Sequence, residues 1–499
     1  MKVYLINIIK VINILFLTIV IFTTAYQFVD IPPYIMNIHR YFFIVYLIVF
    51  IALCNQRLIR VSPFFLVFLY LITVVINQRL AVISVDTQYS QRLYRLDIDS
   101  DLITEYIIIL LFYLGLTGGT IFFLGVKIKK YFSEQWFNFE EYRVLRFNIL
   151  SILFVLTAIW DVYNISNGGF LGGQTDVQNG FLQRYVLTIF QPDLFFYLAL
   201  TFFYTASDVF RKKRFLSILI VISLFMIWKL FSGSKDGLFM LSIYYFTIYA
   251  IFSNDRKIKI TIGHMIAGLV LIAIAMVSFL YVDIIRVVFW AGGDLSDVTD
   301  ISSRLEKSDL IRGTIGRLSN RLSIFDESFF SLYLTDLGYH SIDHLVNFGT
   351  TLALVIDVII PSTIFPGLIK PQYALAIAID QDTFVNAAGF EVMTGFVWGF
   401  VGFFGYLFGK LLGAFFSILW ISGGILYFIF LCRYVFPKTL SVYFLVYHIP
   451  VWLYLVLASM GLEHSASWFV HIPIINIINY LLYAFLFSII LQIKDARSS

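Results

Sequence analysis

Long apolar runs alternate with short polar connections along almost the whole chain. A run of about 20 apolar residues is what a helix needs to cross the hydrocarbon layer of a membrane. The pattern therefore predicts an all-α polytopic membrane protein with about 12 transmembrane helices. The runs centre on residues 5–25, 41–54, 61–77, 103–125, 147–165, 186–206, 214–232, 238–253, 263–290, 395–432, 439–458 and 472–494.

Two apolar stretches in the second half leave the number of spans open. Residues 395–432 are too many for one perpendicular span and too few for two with a proper loop. Residues 346–360 are apolar but include Asp357, which favours an amphipathic helix on the outer surface. If this stretch enters the membrane, the total rises to about 14 spans. For 395–432 we favour one kinked pass, although a tight turn is open at Gly402, Gly405, Gly409 or Gly413.

Composition supports a membrane protein and excludes other classes. Hydrophobic residues make up 60% of the chain and charged residues only 13%. The formal net charge of +4 is modest, and the basic residues lie in short loops. Nucleic acid is therefore not expected as a partner. Cys54 and Cys432 are too few for a disulfide framework.

Lysine and arginine concentrate in every second connection, which predicts the orientation. Short loops rich in these residues face the cytoplasm. The alternate connections and the long polar stretch then face outward, giving an N-terminal transmembrane region (1–290), an extracytoplasmic insertion (291–390) and a C-terminal transmembrane region (391–499). The basic residues are Arg57, Arg60, Lys127, Lys129, Lys130, Arg143, Arg146, Arg211, Lys212, Lys213, Arg214, Arg256, Lys257 and Lys259, then Arg433, Lys438, Lys494 and Arg497.

The insertion carries the strongest functional signal. Within eighteen residues it holds five basic side chains, namely Arg304, Lys307, Arg312, Arg317 and Arg321. A cationic cluster is costly to keep near lipid, so it indicates a place where a polyanionic group is held.

The spacing of two of these arginines favours a diphosphate ligand. Arg317 and Arg321 share one face if the segment is helical. Two adjacent guanidinium groups repel each other unless an anion lies between them, and their planar forks match phosphate oxygens. The alternative is pairing with nearby acidic residues such as Asp309 in a solvated loop.

Acidic and histidine residues of the insertion are candidates for acid–base chemistry. A carboxylate beside a sugar hydroxyl can act as a general base, so Asp326 and Glu327 are catalytic candidates; the alternative is a solvated acidic pair. His340 and His344 have helical spacing but lack the glutamate of a His-Glu-x-x-His zinc site. We expect no metal there, and we interpret His340 as a catalytic candidate and His344 as a substrate contact.

Charges in or beside other apolar runs mark further candidate contacts. Lys235 lies in an outer Ser-Gly-Ser-Lys-Asp-Gly turn, which lacks the spacing of a phosphate-binding loop. It either contacts the substrate or pairs with the following aspartate. Asp161, Asp193 and Arg286 lie near the ends of apolar runs, where charges normally face a cavity or a partner. For Lys229 we expect snorkelling to the interface.

Short motifs in both halves of the chain form one arrangement. They are Ser-Gly-Ser-Lys-Asp-Gly at 232–237, Arg321-Leu-Ser before Asp326-Glu327, Ile360-Pro361, Phe365-Pro366, Lys370-Pro371, and Asn386-Ala-Ala-Gly389 before Gly395. This arrangement resembles the bacterial oligosaccharide repeat-unit polymerases, the O-antigen and capsular polysaccharide polymerase family. The likeness covers the whole layout, although each motif is short. The Arg, ten residues, Gly pattern of some polymerases does not fall in either large outer loop.

The resemblance implies a C-type glycosyltransferase-like enzyme at the outer face of the bacterial cytoplasmic membrane. It would transfer a growing chain from its undecaprenyl-diphosphate carrier to another lipid-linked unit without nucleotide sugar. Because the sequence shows no phosphate-binding loop and no aspartate-rich metal site in the insertion, we also expect displacement with inversion and without metal or cofactor. Its partners would be the lipid-linked donor and acceptor, membrane lipid and a chain-length regulator protein. Arg312, Arg317, Arg321 and Lys370 would then contact diphosphate or sugar.

Two other functions stay open. O-antigen ligases resemble this layout, but their His-Ser pair is followed by glycine at a spacing that His340-Ser341 and Gly349 do not reproduce. A lipid-linked oligosaccharide flippase would have a similar span count. It normally shows two related halves, however, and needs no large outer insertion.

Overall fold

The computed structural model describes the protein in separate stretches that are nearly all helical. The longer stretches are residues 100–131, 142–166, 190–231, 237–252, 347–359, 400–458 and 462–498. The shorter ones are residues 2–3, 62, 64–65, 68–69, 258–259, 332, 335–336, 383–385 and 391–393. The predicted all-α architecture is confirmed for these residues, apart from two small β pairs.

Helices in the first half follow the predicted apolar runs. The helix after Gln191 begins at Pro192, since proline is tolerated in a first turn where its missing N–H costs nothing. A short basic helix begins after Ser207, whose hydroxyl accepts the backbone N–H of Phe210 at 3.4 Å. The helices are α1 (Ser100–Tyr131), α2 (Arg143–Ser166), α3 (Pro192–Tyr204), α4 (Asp208–Lys213), α5 (Phe215–Phe231) and α6 (Gly237–Phe252).

Helices in the second half include two π-type turns. One π turn (Leu431–Val435) ends α9, and the other (Phe444–His448) joins α10 to α11. The segment from Lys438 to Leu457 is 89% buried, more than any other candidate span in the described residues. The helices are α7 (Phe348–Ile359), α8 (Phe400–Phe408), α9 (Lys410–Phe430), α10 (Lys438–Tyr443), α11 (Ile449–Ala458) and α12 (Leu462–Ser498).

Several of these helices are suited to a membrane. Within the described residues, five helical segments are long and apolar enough to span it: Thr104–Ile128, Arg143–Tyr163, Lys410–Val435, Lys438–Leu457 and Trp468–Ile493. Helices α3 and α5 are apolar but shorter. These segments support a multi-pass membrane protein. The predicted runs 5–25, 41–54 and 263–290 lie outside the described residues.

The strands form two short antiparallel pairs. Strand β1 (Lys2–Val3) pairs with β2 (Ile258–Lys259), so Lys2 lies opposite Lys259. Strand β3 (Thr383–Val385), near the end of the insertion, pairs with β4 (Glu391–Met393), at the start of the C-terminal region, and the two strands flank residues 386–390. The first pair therefore joins residues 2–3 to the basic connection that contains Lys259.

Basic residues gather at one end of a bundle formed by α2, α3 and α5. Arg146, near the start of α2, donates to the hydroxyl of Tyr483 at 3.3 Å. Its guanidinium carbon lies 4.4 Å from the Phe487 ring centroid. The Phe147 and Phe210 rings lie 6.0 Å apart, joining α4 to the same region. We call this region, marked by Arg143, Arg146 and 211–214, the basic end.

The glycine-rich stretch folds back on itself at Gly409. Gly409 has φ 80° and ψ 158°, a conformation essentially restricted to glycine, and it caps the start of α9. Helix α8 then packs against the first turns of α9: the Phe408 and Phe416 rings stack at 4.3 Å. A Cβ on Gly413 would collide with the backbone carbonyl of Phe404. The single kinked pass that we favoured for 395–432 is therefore wrong, and the tight turn is observed.

The close approach of Gly413 to the backbone of Phe404 leads to a prediction about stability. Gly413→Ala should lower stability by about 1–3 kcal/mol, because the methyl group meets backbone that cannot move aside. Gly423→Ala is the matched control on α9, since nothing lies within 4 Å of its added Cβ, and alanine favours a helix over glycine. Thermal unfolding in detergent measures both. Equal unfolding temperatures for the two variants would contradict the fold-back.

The predicted helix near 346–360 is present as α7. Asn347 caps it: the Asn347 Oδ1 accepts the Thr350 N–H at 2.9 Å, and the Thr350 hydroxyl accepts the Asn347 N–H at 2.9 Å. Helix α7 packs against α12, and Phe348 approaches Phe408 with ring centroids 6.1 Å apart. The insertion therefore contributes a helix that packs directly on a candidate span.

Candidate functional site

An ion pair lies inside the helix bundle between α3 and α5. Lys229 Nζ donates to Asp193 Oδ2 at 3.3 Å and lies 3.3 Å from Oδ1. Only 11% of the Lys229 side chain and 24% of the Asp193 side chain are exposed. The ammonium also lies 4.4 Å from the Trp228 ring centroid. Our expectation that Lys229 snorkels to the interface is wrong, because its charge has a carboxylate and an aromatic face inside the protein.

A second carboxylate belongs to the same cluster. Trp228 Nε1 donates to Asp161 Oδ2 at 2.7 Å, joining the last part of α2 to the end of α5. The expectation that Asp161 and Asp193 face partners is confirmed. We call Asp161, Asp193, Trp228 and Lys229 the buried charge cluster. Aromatic rings pack against its tryptophan and keep water away from one side, namely those of Phe154 and Phe225.

A second polar group joins the most buried span, through His448, to Asn476 of α12. Asn476 Nδ2 donates to the Ile472 carbonyl at 2.7 Å and lies 3.1 Å from His448 Nε2. Because that amide nitrogen is the donor, we assign His448 Nε2 as the acceptor and place the ring proton on Nδ1. His448 closes the π turn, a feature often found at functional sites.

Three buried atoms around this histidine have unused hydrogen-bonding capacity. In the part of the chain that the structure describes, His448 Nδ1, Asn476 Oδ1 and the Tyr443 hydroxyl have no hydrogen-bond partner. Buried polar atoms are normally satisfied by protein, water or ligand. The group is therefore a set of buried polar atoms whose hydrogen-bonding capacity the described residues leave unused.

The insertion is tied to two spans by one lysine. Lys410 Nζ, at the start of α9, donates to Asp336 Oδ2 at 2.7 Å and to Glu105 Oε1 at 2.6 Å. The Tyr106 hydroxyl also donates to Asp336 Oδ2, at 2.7 Å. Such partly exposed pairs contribute about 0–1 kcal/mol, so the junction fixes position more than it adds stability. We call Glu105, Tyr106, Asp336 and Lys410 the insertion anchor.

Apolar packing supports the insertion anchor. Leu332 is fully buried, and a Cβ on Gly405 would lie 2.8 Å from its Cδ2. The Tyr113 hydroxyl donates to the Lys410 carbonyl at 2.9 Å, so α1 contacts the start of α9 as well. Leu332 and Asp336 of the insertion are thus held by α1, α8 and α9 together.

The contacts described above do not test the roles that the sequence predicts for the site residues. All ten lie outside the described residues: Asp326, Glu327, His340, Arg317, Arg321, Arg312, Lys235, Lys370, Arg286 and His344. Their roles stay predictions.

Sequence reasoning did not identify His448, Asn476 or Tyr443 as candidates. The signal was present, because His448 and Asn476 are polar residues within apolar runs, where polar groups are costly. Asp336 was also passed over, since one acidic residue in a polar insertion carries no distinguishing pattern.

Comparisons with known proteins add no family assignment. Within the described residues, no group of three or more histidine, cysteine or acidic side chains is arranged to hold a metal ion. No family model, no curated protein and no solved structure matches the chain.

Proposed function

We propose that the protein polymerises undecaprenyl-diphosphate-linked oligosaccharide repeat units into O-antigen or capsular polysaccharide. The reaction takes place at the outer face of the bacterial cytoplasmic membrane. The family resemblance supports this proposal, together with the five helical segments of the described residues that are long and apolar enough to span a membrane. The insertion 291–390 supplies the residues that bind the diphosphate and move the proton.

The observation that carries the proposal is the insertion anchor. It holds the insertion against the Glu105 end of α1, opposite Lys127, and the positive-inside pattern predicts that this end faces outward. His340 lies four positions after Asp336. Even a fully extended chain would keep the Cα atom of His340 within about 14 Å of that of Asp336. We therefore expect this catalytic candidate to act close to the spans.

The polar interior gives the proposal further support. A lipid-linked substrate has an apolar tail and a charged, hydroxyl-rich head, so its site needs polar groups at membrane depth. The buried charge cluster and the polar atoms of Tyr443, His448 and Asn476 are polar groups within the helix bundle.

The proposed reaction is one displacement at an anomeric carbon. A hydroxyl oxygen of the acceptor sugar attacks the anomeric carbon of the donor, and the bond from that carbon to the diphosphate oxygen breaks with inversion. The electron pair leaves with the diphosphate, where Arg317 and Arg321 meet the growing charge. The hydroxyl proton passes to Asp326, Glu327 or His340 as general base.

A flippase for lipid-linked oligosaccharides is the second candidate. Charged residues within the bundle and a helix interrupted at Gly409 are also features of transporters. This alternative predicts movement of intact repeat units across the membrane with no new glycosidic bond.

Deleting the gene in its host tests the proposal in cells. A polymerase deletion should leave glycan that carries a single repeat unit, visible as loss of the ladder on a gel. Restoration of the ladder by the wild-type chain is the expected control. Complete loss of surface glycan, including the single unit, would instead indicate the flippase.

A further inference from the structure

A cleft lies at the basic end of the bundle, away from the buried charge cluster. It has a volume of 720 Å³ and opens at the start of α2, where the candidate span Arg143–Tyr163 begins. Its polar lining comes from Arg143, Asn148 and Ser207, and its apolar lining includes Val144 and Phe210. The cleft therefore lies at the level where a lipid headgroup meets its acyl chains.

The charge around this cleft is strongly positive. Helix α4 and the next residue contribute Arg211, Lys212, Lys213 and Arg214 directly after the lining residue Phe210. Lys212 and Lys213 are exposed, and the described residues offer neither of them an ion-pair partner. The first turn of α2 has no acidic residue, so its N–H groups add to the positive potential.

We propose that this cleft binds the phosphate headgroup of an anionic phospholipid. Basic pockets between transmembrane helices are suited to such headgroups, and arginine can hold phosphate oxygens with two parallel hydrogen bonds. Exposed apolar side chains adjoin the basic residues: Val144 on α2 is 45% exposed, and Leu216 on α5 is 70% exposed. These side chains give the acyl chains a surface, which a free phosphate would not need.

Native mass spectrometry of the purified full chain tests this site. The protein is titrated with dioleoyl-phosphatidylglycerol, with dioleoyl-phosphatidylcholine and, separately, with inorganic phosphate in a thermal-shift assay. We expect saturable binding of phosphatidylglycerol that the zwitterionic lipid does not reproduce. The variant Arg143→Gln, Lys212→Gln, Lys213→Gln should weaken that binding roughly tenfold or more.

Two further variants keep the outcome interpretable. Arg433→Gln with Lys438→Gln removes two basic charges that do not line the cleft, and it should retain phosphatidylglycerol binding. Val144→Trp fills the cleft from an exposed position and should block binding even if the triple variant folds poorly. Equal binding by wild type, triple variant and Val144→Trp would overturn the proposal. Stabilisation by inorganic phosphate without lipid selectivity would overturn the assignment to a lipid.

Discussion

The Lys229→Met variant is expected to yield much less folded protein than the wild type. The substitution removes the counter-charge of Asp193 at a site where both side chains are mostly buried. Breaking a buried ion pair from one side costs about 3–5 kcal/mol, because the remaining charge is left in a low-dielectric interior. Thermal unfolding in detergent and the yield of monodisperse protein measure the effect.

A double variant separates a structural role for the pair from a functional one. Asp193→Leu with Lys229→Met replaces the ion pair by apolar groups, which is often neutral for stability, so folding should return. Polymer should not return if the charges serve the substrate. Lys127→Met, at an exposed lysine of α1, is the control and should change neither property. A normal ladder from the double variant would limit the pair to a structural role.

Arg321→Ala is expected to abolish long polymer while leaving the protein in the membrane. The leaving diphosphate gains charge as its bond to the sugar breaks, so a guanidinium contact strengthens in the transition state. A contact of this kind contributes about 1.5–3 kcal/mol, which corresponds to a rate loss of roughly 10- to 100-fold. Chain length on gels and protein level by immunoblot are measured together.

Conservative variants sharpen this prediction. Arg321→Lys keeps the charge but loses the planar fork, so turnover should fall more than protein level does. Arg433→Ala, in the turn after α9, removes an exposed arginine that the proposal does not use. Wild-type polymer from Arg321→Ala would remove this residue from the site.

The hydrophobic pattern predicted the spans because a long apolar run is what allows a helix to cross the hydrocarbon layer of a membrane. The runs at 103–125, 147–165, 439–458 and 472–494 each coincide with a candidate span in the structure. The run at 395–432 overlaps one candidate span, Lys410–Val435, and the separate short helix α8, because hydropathy cannot distinguish a kinked helix from one that folds back. That difference depends on the backbone of Gly409, whose φ of 80° turns the chain between α8 and α9.

The site was predicted only in part, and for a related reason. Asp161, Asp193 and Lys229 stood out as charges beside apolar runs. Their pairing did not, since it requires the packing of α2, α3 and α5. The sequence around Lys229 is typical of a lysine that extends to the membrane interface. Only the position of Asp193 on α3 shows that Lys229 forms an ion pair inside the bundle instead. Asp336 became recognisable only through its contact with Lys410.

Reconstitution of the reaction tests the central claim most directly. Purified protein in detergent is given short undecaprenyl-diphosphate-linked repeat units as both donor and acceptor, with no nucleotide sugar and with excess EDTA. The account predicts a ladder of longer lipid-linked products whose new linkage is inverted relative to the donor. Transfer of intact units across proteoliposome membranes with no elongation would contradict polymerisation and assign the protein to the flippase class. Elongation that stops in EDTA and returns with a divalent ion would contradict the metal-free displacement.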